Sequence, residues 1–509
     1  MKVFLSLVLA FSCSVYAAPE RPNIVVVMAD DLGKGDLGFY HRQRTGEGSS
    51  PVPTPNLDRL IASGMRFSDA HSPAALCAPT RFSMMTGNYP YRNNSAQGIW
   101  GAHADPQIDP NYTTVARIAK EGGYRTAFFG KWGLGGAWKG WPKDYSKLTA
   151  GALSYGFDYS VELPQGIQGA PYALYENREF LKLEQNSIMT HIPIEQTGYD
   201  LVLDPKAKDR DGMGDSNWDL KRVGPVLAHK AATFIDGHVS AHPDQPFFVY
   251  YCSQAVHTPH CAAEEFDGVK IAGSTPGPLG DFIHELDVQV GMILKELEKT
   301  GTAGNTLFIF TSDNGGLPAH WDQKLAAAGH KSNGDLSGQK GSIEEGGHRV
   351  PFIAVWPGQI KPGSKCDELI VTHDVVSTIA AVVGETIDRA VVRDSMNLLP
   401  ILAGGKSSAD RHVITQSGGL TYFAIRDGDL KLIIDGNAKK LSKKELYKLR
   451  GFNRENVCPV ALYDLDENIR ENQKFNLINH PEYKERVAAM FERFCELRSS
   501  GEPTVCDKK

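Results

Sequence analysis

Near its start the chain carries a continuous apolar run, Ile24-Val25-Val26-Val27-Met28-Ala29, that ends abruptly in Asp30-Asp31. Unbroken hydrophobicity of this length fits a strand covered on both faces, as in a parallel sheet, and not a half-exposed strand. Similar runs return at 125–129, 246–252, 306–311 and 351–356. Segments of helical period stand at 54–63, 113–122, 226–235 and 281–299. This alternation predicts an α/β fold, a large, mostly parallel sheet sandwiched by helices. In such sheets ligands gather beyond the carboxyl ends of the strands. Asp30-Asp31 and Asp313-Asn314 both stand at that end.

Two stretches break the pattern. Residues 135–225 are rich in Gly, Pro and aromatics, with little periodicity, and predict long loops over the sheet edge, where specificity residues collect. Asp204, Asp209, Asp211 and Asp215 fall there; they offer a second calcium site, although a solvated loop is the favoured expectation. From Met396 the texture turns antiparallel, with strands expected at 412–416, 420–426 and 430–435 and turns at Gly418-Gly419 and Asp427-Gly428. A helix over 481–497 comes close to the chain end. The expected division is a signal peptide at 1–18, a main α/β domain at 19–395, and a C-terminal α+β subdomain at 396–509, built from a small antiparallel sheet and a terminal helix.

Composition narrows the partners. The 509 residues carry 54 Lys+Arg against 60 Asp+Glu, a formal net charge of -6. That balance argues against nucleic acid as a bulk electrostatic partner and leaves room for a local basic pocket. Lys2, the apolar run 3–11 and Val15-Tyr16-Ala17 form a secretory signal pattern, too short to span a bilayer. The protein is therefore expected to be exported, periplasmic or secreted, with no membrane association after cleavage. Of eight cysteines, Cys13 leaves with the signal. Setting Cys77 aside leaves Cys252, Cys261, Cys366, Cys458, Cys495 and Cys506, enough for three disulfides. Cys495 with Cys506 would staple the C-terminus, and Cys252 with Cys261 would close a loop around His257; free buried thiols are the alternative. No C-x-x-C pair suggests structural zinc.

Several segments offer chemistry at the predicted sheet edge. Asp30, Asp31, Asp313 and Asn314 are hard oxygen donors suited to Ca²⁺ or Mg²⁺, though each pair alone reads as a turn or cap. Arg81 follows Cys77 by four residues, which on a helix places both on one face. With Lys131 and Lys340 it supplies the charge to hold a tetrahedral oxyanion, where each cation alone reads as solvated surface. His257, after another strand, is a candidate general acid, with His260 competing.

The order of motifs is specific. Asp30-Asp31, Cys77-Ala78-Pro79-Thr80-Arg81, Gly130-Lys131-Trp132 and His257-Thr258-Pro259 come first. Ser312-Asp313-Asn314-Gly315, Gly338-Gln339-Lys340 and Glu345-Gly346-Gly347-His348-Arg349-Val350-Pro351 follow. From Pro22 onward the chain resembles the type I, formylglycine-dependent sulfatases of the alkaline phosphatase-like superfamily. The resemblance implies that Cys77 is oxidised to formylglycine (3-oxoalanine) by a formylglycine-generating or sulfatase-maturing enzyme. It implies that Asp30, Asp31, Asp313, Asn314 and residue 77 hold Ca²⁺. Arg81 would stabilise the aldehyde hydrate, Lys131 and Lys340 would grip the sulfate, and His257 would protonate the leaving alcohol. One position departs: where the family usually has Gly-Lys-Trp-His, this chain has Gly133. His103, His320, His330 or water would then serve the aldehyde-regenerating step, and the small residue opens space for a bulky substrate. The expected substrate is a sulfated carbohydrate, an algal galactan such as carrageenan or a glycosaminoglycan. A phosphodiesterase or phosphonate hydrolase of the same superfamily is the alternative enzyme, and a non-catalytic sulfated-glycan binding protein is the alternative without turnover.

Overall fold

The computed structural model describes residues 21–93, 100–138, 143–199, 201–202, 204–407, 409–442, 444–445 and 452–507. The signal segment expected at 1–18, with Cys13, lies outside them. A ten-stranded sheet forms the body of the molecule. In chain order its strands are β1 Asn23–Ala29, β2 Met65–Phe67, β3 Arg125–Lys131, β4 Tyr159–Leu163 and β5 Leu174–Glu176. They continue with β6 Glu179–Leu181, β7 Phe247–Cys252, β8 Thr306–Ser312, β9 Phe352–Val355 and β10 Ser364–Cys366. Side by side they run β10-β2-β9-β8-β1-β7-β3-β4-β5-β6. The five central strands, β8 to β4, are parallel; β9, β5 and β6 add antiparallel pairings toward the edges. The sheet is thus mixed, with the expected parallel character concentrated at its centre.

The unbroken apolar runs are explained by two covered faces. Val25, Val27 and Ala29 point into one core with helices α1 Pro55–Ser63, α4 Leu220–Ala241 and α5 Pro278–Lys299, while α2 Cys77–Thr86, α3 Val115–Glu121 and α6 Val375–Val383 cover the other face. That second core takes Ile24, Val26 and Met28. Each fully buried Val, Ile or Met contributes about 1.5–3 kcal/mol to burial.

The loop expectation for 135–225 gives way to strands β4, β5 and β6, which extend the main sheet. The helix expected to start after Pro225 begins at Leu220, because the Asp219 side chain accepts from the Lys221 N–H at 3.0 Å and caps it, leaving Pro225 inside. In the same region the four aspartates do not gather as a metal cage. Asp215 accepts from the backbone N–H groups of Leu183 and Asn217, while Asp204 and Asp211 pair with Arg210 and His191. The disulfide expectation is also corrected. Cys252, Cys261, Cys366, Cys458 and Cys495 carry free thiols, Cys252 within a buried strand of the sheet; the side chain of Cys506 lies outside the described ones.

Toward the C-terminus, β11 Val413–Gln416, β12 Tyr422–Asp427, β13 Leu430–Asp435 and β14 Cys458–Asp464 form an antiparallel sheet in chain order. Helix α7, Lys484–Ser500, covers it, with Phe494 packed on Phe423. From β13 the wholly buried Lys431 reaches back into the main domain. Its ammonium donates to the Ile343 carbonyl at 2.8 Å and to Glu345 at 2.9 Å, and it pairs with Glu471 at 2.8 Å. The segment it grips immediately follows Lys340.

Candidate active site

Register in the sheet assembles the site. Ala29 lies opposite Ser312, Met28 opposite Cys252, and Cys252 opposite Gly130. The residues just past these strand ends are therefore neighbours, which sets Asp30-Asp31 beside Asp313-Asn314 with Lys131 in the same row. The Asp313 N–H donates to the Ala29 carbonyl at 3.1 Å. Asp31 takes a left-handed conformation, φ 66°, that turns the chain sharply at the strand end; its N–H donates to Asp313 Oδ1 at 3.1 Å. Asn314 Nδ2 donates to Asp31 Oδ1 at 2.9 Å.

Cys77 opens α2, and one helical turn on Arg81 is 2% exposed. Its Nη2 donates to Asp313 Oδ2 at 2.7 Å and its Nη1 to the Lys131 carbonyl at 2.9 Å. Lys131 Nζ donates to Asp30 Oδ2 at 2.7 Å, and Lys340 Nζ to Asp31 Oδ2 at 2.6 Å. The Lys340 segment is tied to the approach to Cys77 by a 2.8 Å bond from Gly341 N–H to the Ala75 carbonyl. His257 Nε2 stands 3.7 Å from Asp31 Oδ2, with Nδ1 2.7 Å from the Thr258 carbonyl. His260 instead packs its ring against Phe282. The Cys77 sulfur and carboxylate oxygens of Asp30 and Asp313 lie within 4.8 Å of one another.

The electrostatics are those of a cation site. Burial raises the Asp30 pKa, but Lys131, His257 and Arg81 outweigh it and hold the carboxyl well below its usual range. Burial and the adjacent Asp30 push Asp313 up to about 7, the mark of carboxylates crowded together. Asp30 Oδ1 and Asn314 Oδ1 are buried acceptors without a hydrogen-bond partner. Two orphaned oxygens among three carboxylates fit a hard divalent ion such as Ca²⁺. Burial pushes the Cys77 thiol up, against the pull of Lys131 and Lys340. A protonated, buried thiol is a poor nucleophile in its own right.

The description "Sulfatase" belongs to a family model that matches residues 22–385. The chain belongs to the sulfatase family. An N-acetylgalactosamine-6-O-sulfatase of Bacteroides thetaiotaomicron is 31% identical to it, with 93% of each chain covered. Human arylsulfatase A is 32% identical over 93% of this chain and 86% of its own. A solved structure from work on the metabolism of multiple glycosaminoglycans by Bacteroides thetaiotaomicron superposes with a TM-score of 0.76 at 28% identity. It covers 94% of this chain and all of that one. A crystal structure in complex with k-i-k-neocarrahexaose shares the fold, with a TM-score of 0.67 at 22% identity over 95% of this chain and 94% of that one.

At the departure from the family pattern, this sulfatase places Gly133 against the cations. A Cβ there would lie 3.4 Å from Arg81 Cδ and 3.9 Å from Lys131 Cε, so the missing side chain leaves open space beside both. The histidines considered as replacements are engaged elsewhere. His330 bonds Asp36 at 2.7 Å, His320 is exposed beside Trp321, and His103 packs on Trp138 and Tyr145. One neighbour escaped the sequence. Gly166, at φ 85°, lies against both the Lys131 stem and the Gln168 side chain, whose buried Oε1 has no partner. Tyr199 and Arg210 both donate to the Gln168 carbonyl and brace that wall. Its only local signal was the glycine-flanked Gln165-Gly166-Ile167-Gln168-Gly169 turn.

Proposed function

We propose that this sulfatase is an exported enzyme that hydrolyses a sulfate monoester of a carbohydrate, with residue 77 converted to formylglycine and Ca²⁺ held by Asp30, Asp31, Asp313 and Asn314. The observation that carries this is the pair of orphaned oxygens, Asp30 Oδ1 and Asn314 Oδ1, in a buried cluster shared with Cys77. Held there, Ca²⁺ would supply positive charge for a sulfate oxygen and would favour ionisation of a hydroxyl on the hydrated residue 77, which would serve as the nucleophile that a protonated thiol cannot be. Lys131 and Lys340 take the remaining sulfate oxygens; their pairing with Asp30 and Asp31 keeps both charged and aimed inward. Arg81, fixed by Asp313 and the Lys131 carbonyl, orients residue 77.

His257 holds the proton for the departing alkoxide. With Nδ1 donating to the Thr258 carbonyl, Nε2 is the atom free to face the leaving oxygen. Burial and Lys340 push its pKa to about 4, against the pull of Asp31. The negative charge of a bound sulfate ester favours its protonation, so the acid forms when substrate is in place. His257→Gln is expected to lower kcat by about 10²–10³-fold for an alkyl sulfate, and far less for 4-nitrophenyl sulfate, whose leaving group needs little protonation. Equal losses on both esters would remove His257 from that role.

The relative at 31% identity over 93% of both chains supports 6-O-sulfated N-acetylgalactosamine as the first sugar to test. Mass spectrometry of the peptide containing residue 77, from the native host, should find it lighter than the Cys form by the thiol-to-aldehyde difference. The same protein should release sulfate from that sugar. Unmodified Cys77 in active native material would sink the mechanism. For Gly133→His we expect about 1 kcal/mol of destabilisation from an L-residue at φ 68°. Its imidazole beside Arg81 and Lys131 should lower kcat/KM for oligosaccharides severalfold while sparing 4-nitrophenyl sulfate; unchanged preference would dismiss the open position as a specificity feature.

A further inference from the structure

A second cation cluster lies outside the catalytic group. Three residues past Asp31, Lys34 lines a cavity of about 360 Å³ with Tyr40, Arg44, Arg66, Arg349 and Lys365. Its far wall is the end of β2, three strands from β1 on the same carboxyl edge, roughly 15 Å at the usual inter-strand spacing. The nearer wall is shared with the active site. Asn333 lines the cavity, accepts from Gly316 N–H at 2.7 Å and donates to the Gly338 carbonyl at 3.3 Å, two residues before Lys340.

The charges there are balanced only in part by the protein. Arg349 is satisfied by Glu345 and Asp69, and Lys365 by Asp367. Among the described residues Lys34, Arg44 and Arg66 have no carboxylate within ion-pair distance and donate to the carbonyls of Ser68, Gly329 and Gly363, while Asp69 and Glu345 attract Lys34, Asp335 attracts Arg44 and Asp367 attracts Arg66 from farther off. The one acid on the lining, Asp335, is itself paired with Lys331 and Arg470. Tyr40 Oη and Arg44 Nε are buried without a hydrogen-bond partner. Burial, with repulsion from Arg349 and Lys365, pushes Lys34 down to about 7. Half-buried cations gathered on one cavity are costly unless an anion completes them.

We propose that this cavity is a second oxyanion site, which takes a sulfate group of the same glycan chain whose other sulfate ester sits at the catalytic group; this rests on the proposed carbohydrate sulfatase function. Lys34, Arg44 and Arg66, which line the cavity without a carboxylate in ion-pair contact, supply the charge. The enzyme is thereby fitted to chains sulfated at more than one residue, in preference to a lone monosulfated sugar.

The test uses the full-length protein and a chondroitin 6-sulfate hexasaccharide, with its unsulfated counterpart as control. Titration calorimetry reads the Kd, and turnover of 4-nitrophenyl sulfate reads the catalytic group alone. Arg44→Glu with Arg66→Glu should weaken the sulfated hexasaccharide about tenfold or more, and Tyr40→Phe, whose hydroxyl is enclosed in the protein, by less than about twofold. Aryl sulfate turnover should stay at the wild-type level in both. Unchanged hexasaccharide affinity in the Arg44 and Arg66 variant, no binding by the wild type, or equal affinity for the unsulfated chain would each overturn the second site. A protein that binds the sulfated hexasaccharide in an Arg44- and Arg66-dependent way but releases sulfate from no ester keeps the cavity and sinks the proposed function.

Discussion

Replacing Cys77 with alanine is expected to lower kcat/KM for every sulfate ester by about 10⁴-fold or more, some 5.5 kcal/mol of transition-state stabilisation, with little change in folding. The two halves of this expectation have separate origins. Cys77 starts a helix that alanine favours, and its Sγ takes part in no structural bridge, so unfolding should shift by no more than about 1 kcal/mol. Asp30, Asp31, Asp313 and Lys131 remain where the sheet register puts them, and Lys340 where its loop holds it. Sulfate should therefore still bind, and only the attacking atom is lost. Inhibition by free sulfate at the wild-type Ki, beside lost turnover, is the signature to look for. Turnover surviving within tenfold of wild type would place the nucleophile on another residue.

The parts of this architecture that were legible in the chain are those with local causes. A run such as Ile24–Ala29 has no polar position because both faces are covered, and its end is marked by the aspartates that cannot follow it into the core. The candidate residues Asp30, Asp31, Cys77, Arg81, Lys131, Asp313 and Asn314 were visible because each stands within a short motif at or near a strand or helix end, and Lys340 because of its glycine-flanked loop motif. What stayed hidden depends on contacts distant in sequence. β5 and β6 have only three residues each, too few for any period to show. Pro225 argued for a boundary, but the Asp219 cap and the packing of α4 on α5 outweigh one lost backbone bond. Even counting of cysteines suggested bridges, whereas Cys252 faces the core opposite Met28, where a small apolar side chain is what packs. The cations around Lys34 come from residues 34, 44, 66, 349 and 365, and no spacing rule joins them.

Lys431→Met is expected to destabilise the protein by about 3–5 kcal/mol, more than any single core methylene deletion, although methionine matches the lysine stem in volume. Glu345 is the reason. Burial opposes its ionisation, yet Lys431, the strongest influence, and Arg349 hold it ionised. Removing the ammonium leaves that carboxylate wholly buried and short of its main counter-charge, and Glu471 loses the same partner. The damage extends to the active site. Lys431 also holds the Ile343 carbonyl, three residues after Lys340, so the loop that carries Lys340, the proposed sulfate ligand, loses its anchor in the C-terminal sheet. Calorimetric unfolding of K431M, E345Q and the double variant should show coupling of about 1–3 kcal/mol, because E345Q removes the charge that K431M strands. In material that still folds, K431M should raise KM for sulfate esters more than it lowers kcat, since sulfate grip is lost before nucleophile or acid. Additive stability losses with unchanged KM would reduce Lys431 to packing, and the C-terminal sheet to a cover with no part in positioning Lys340.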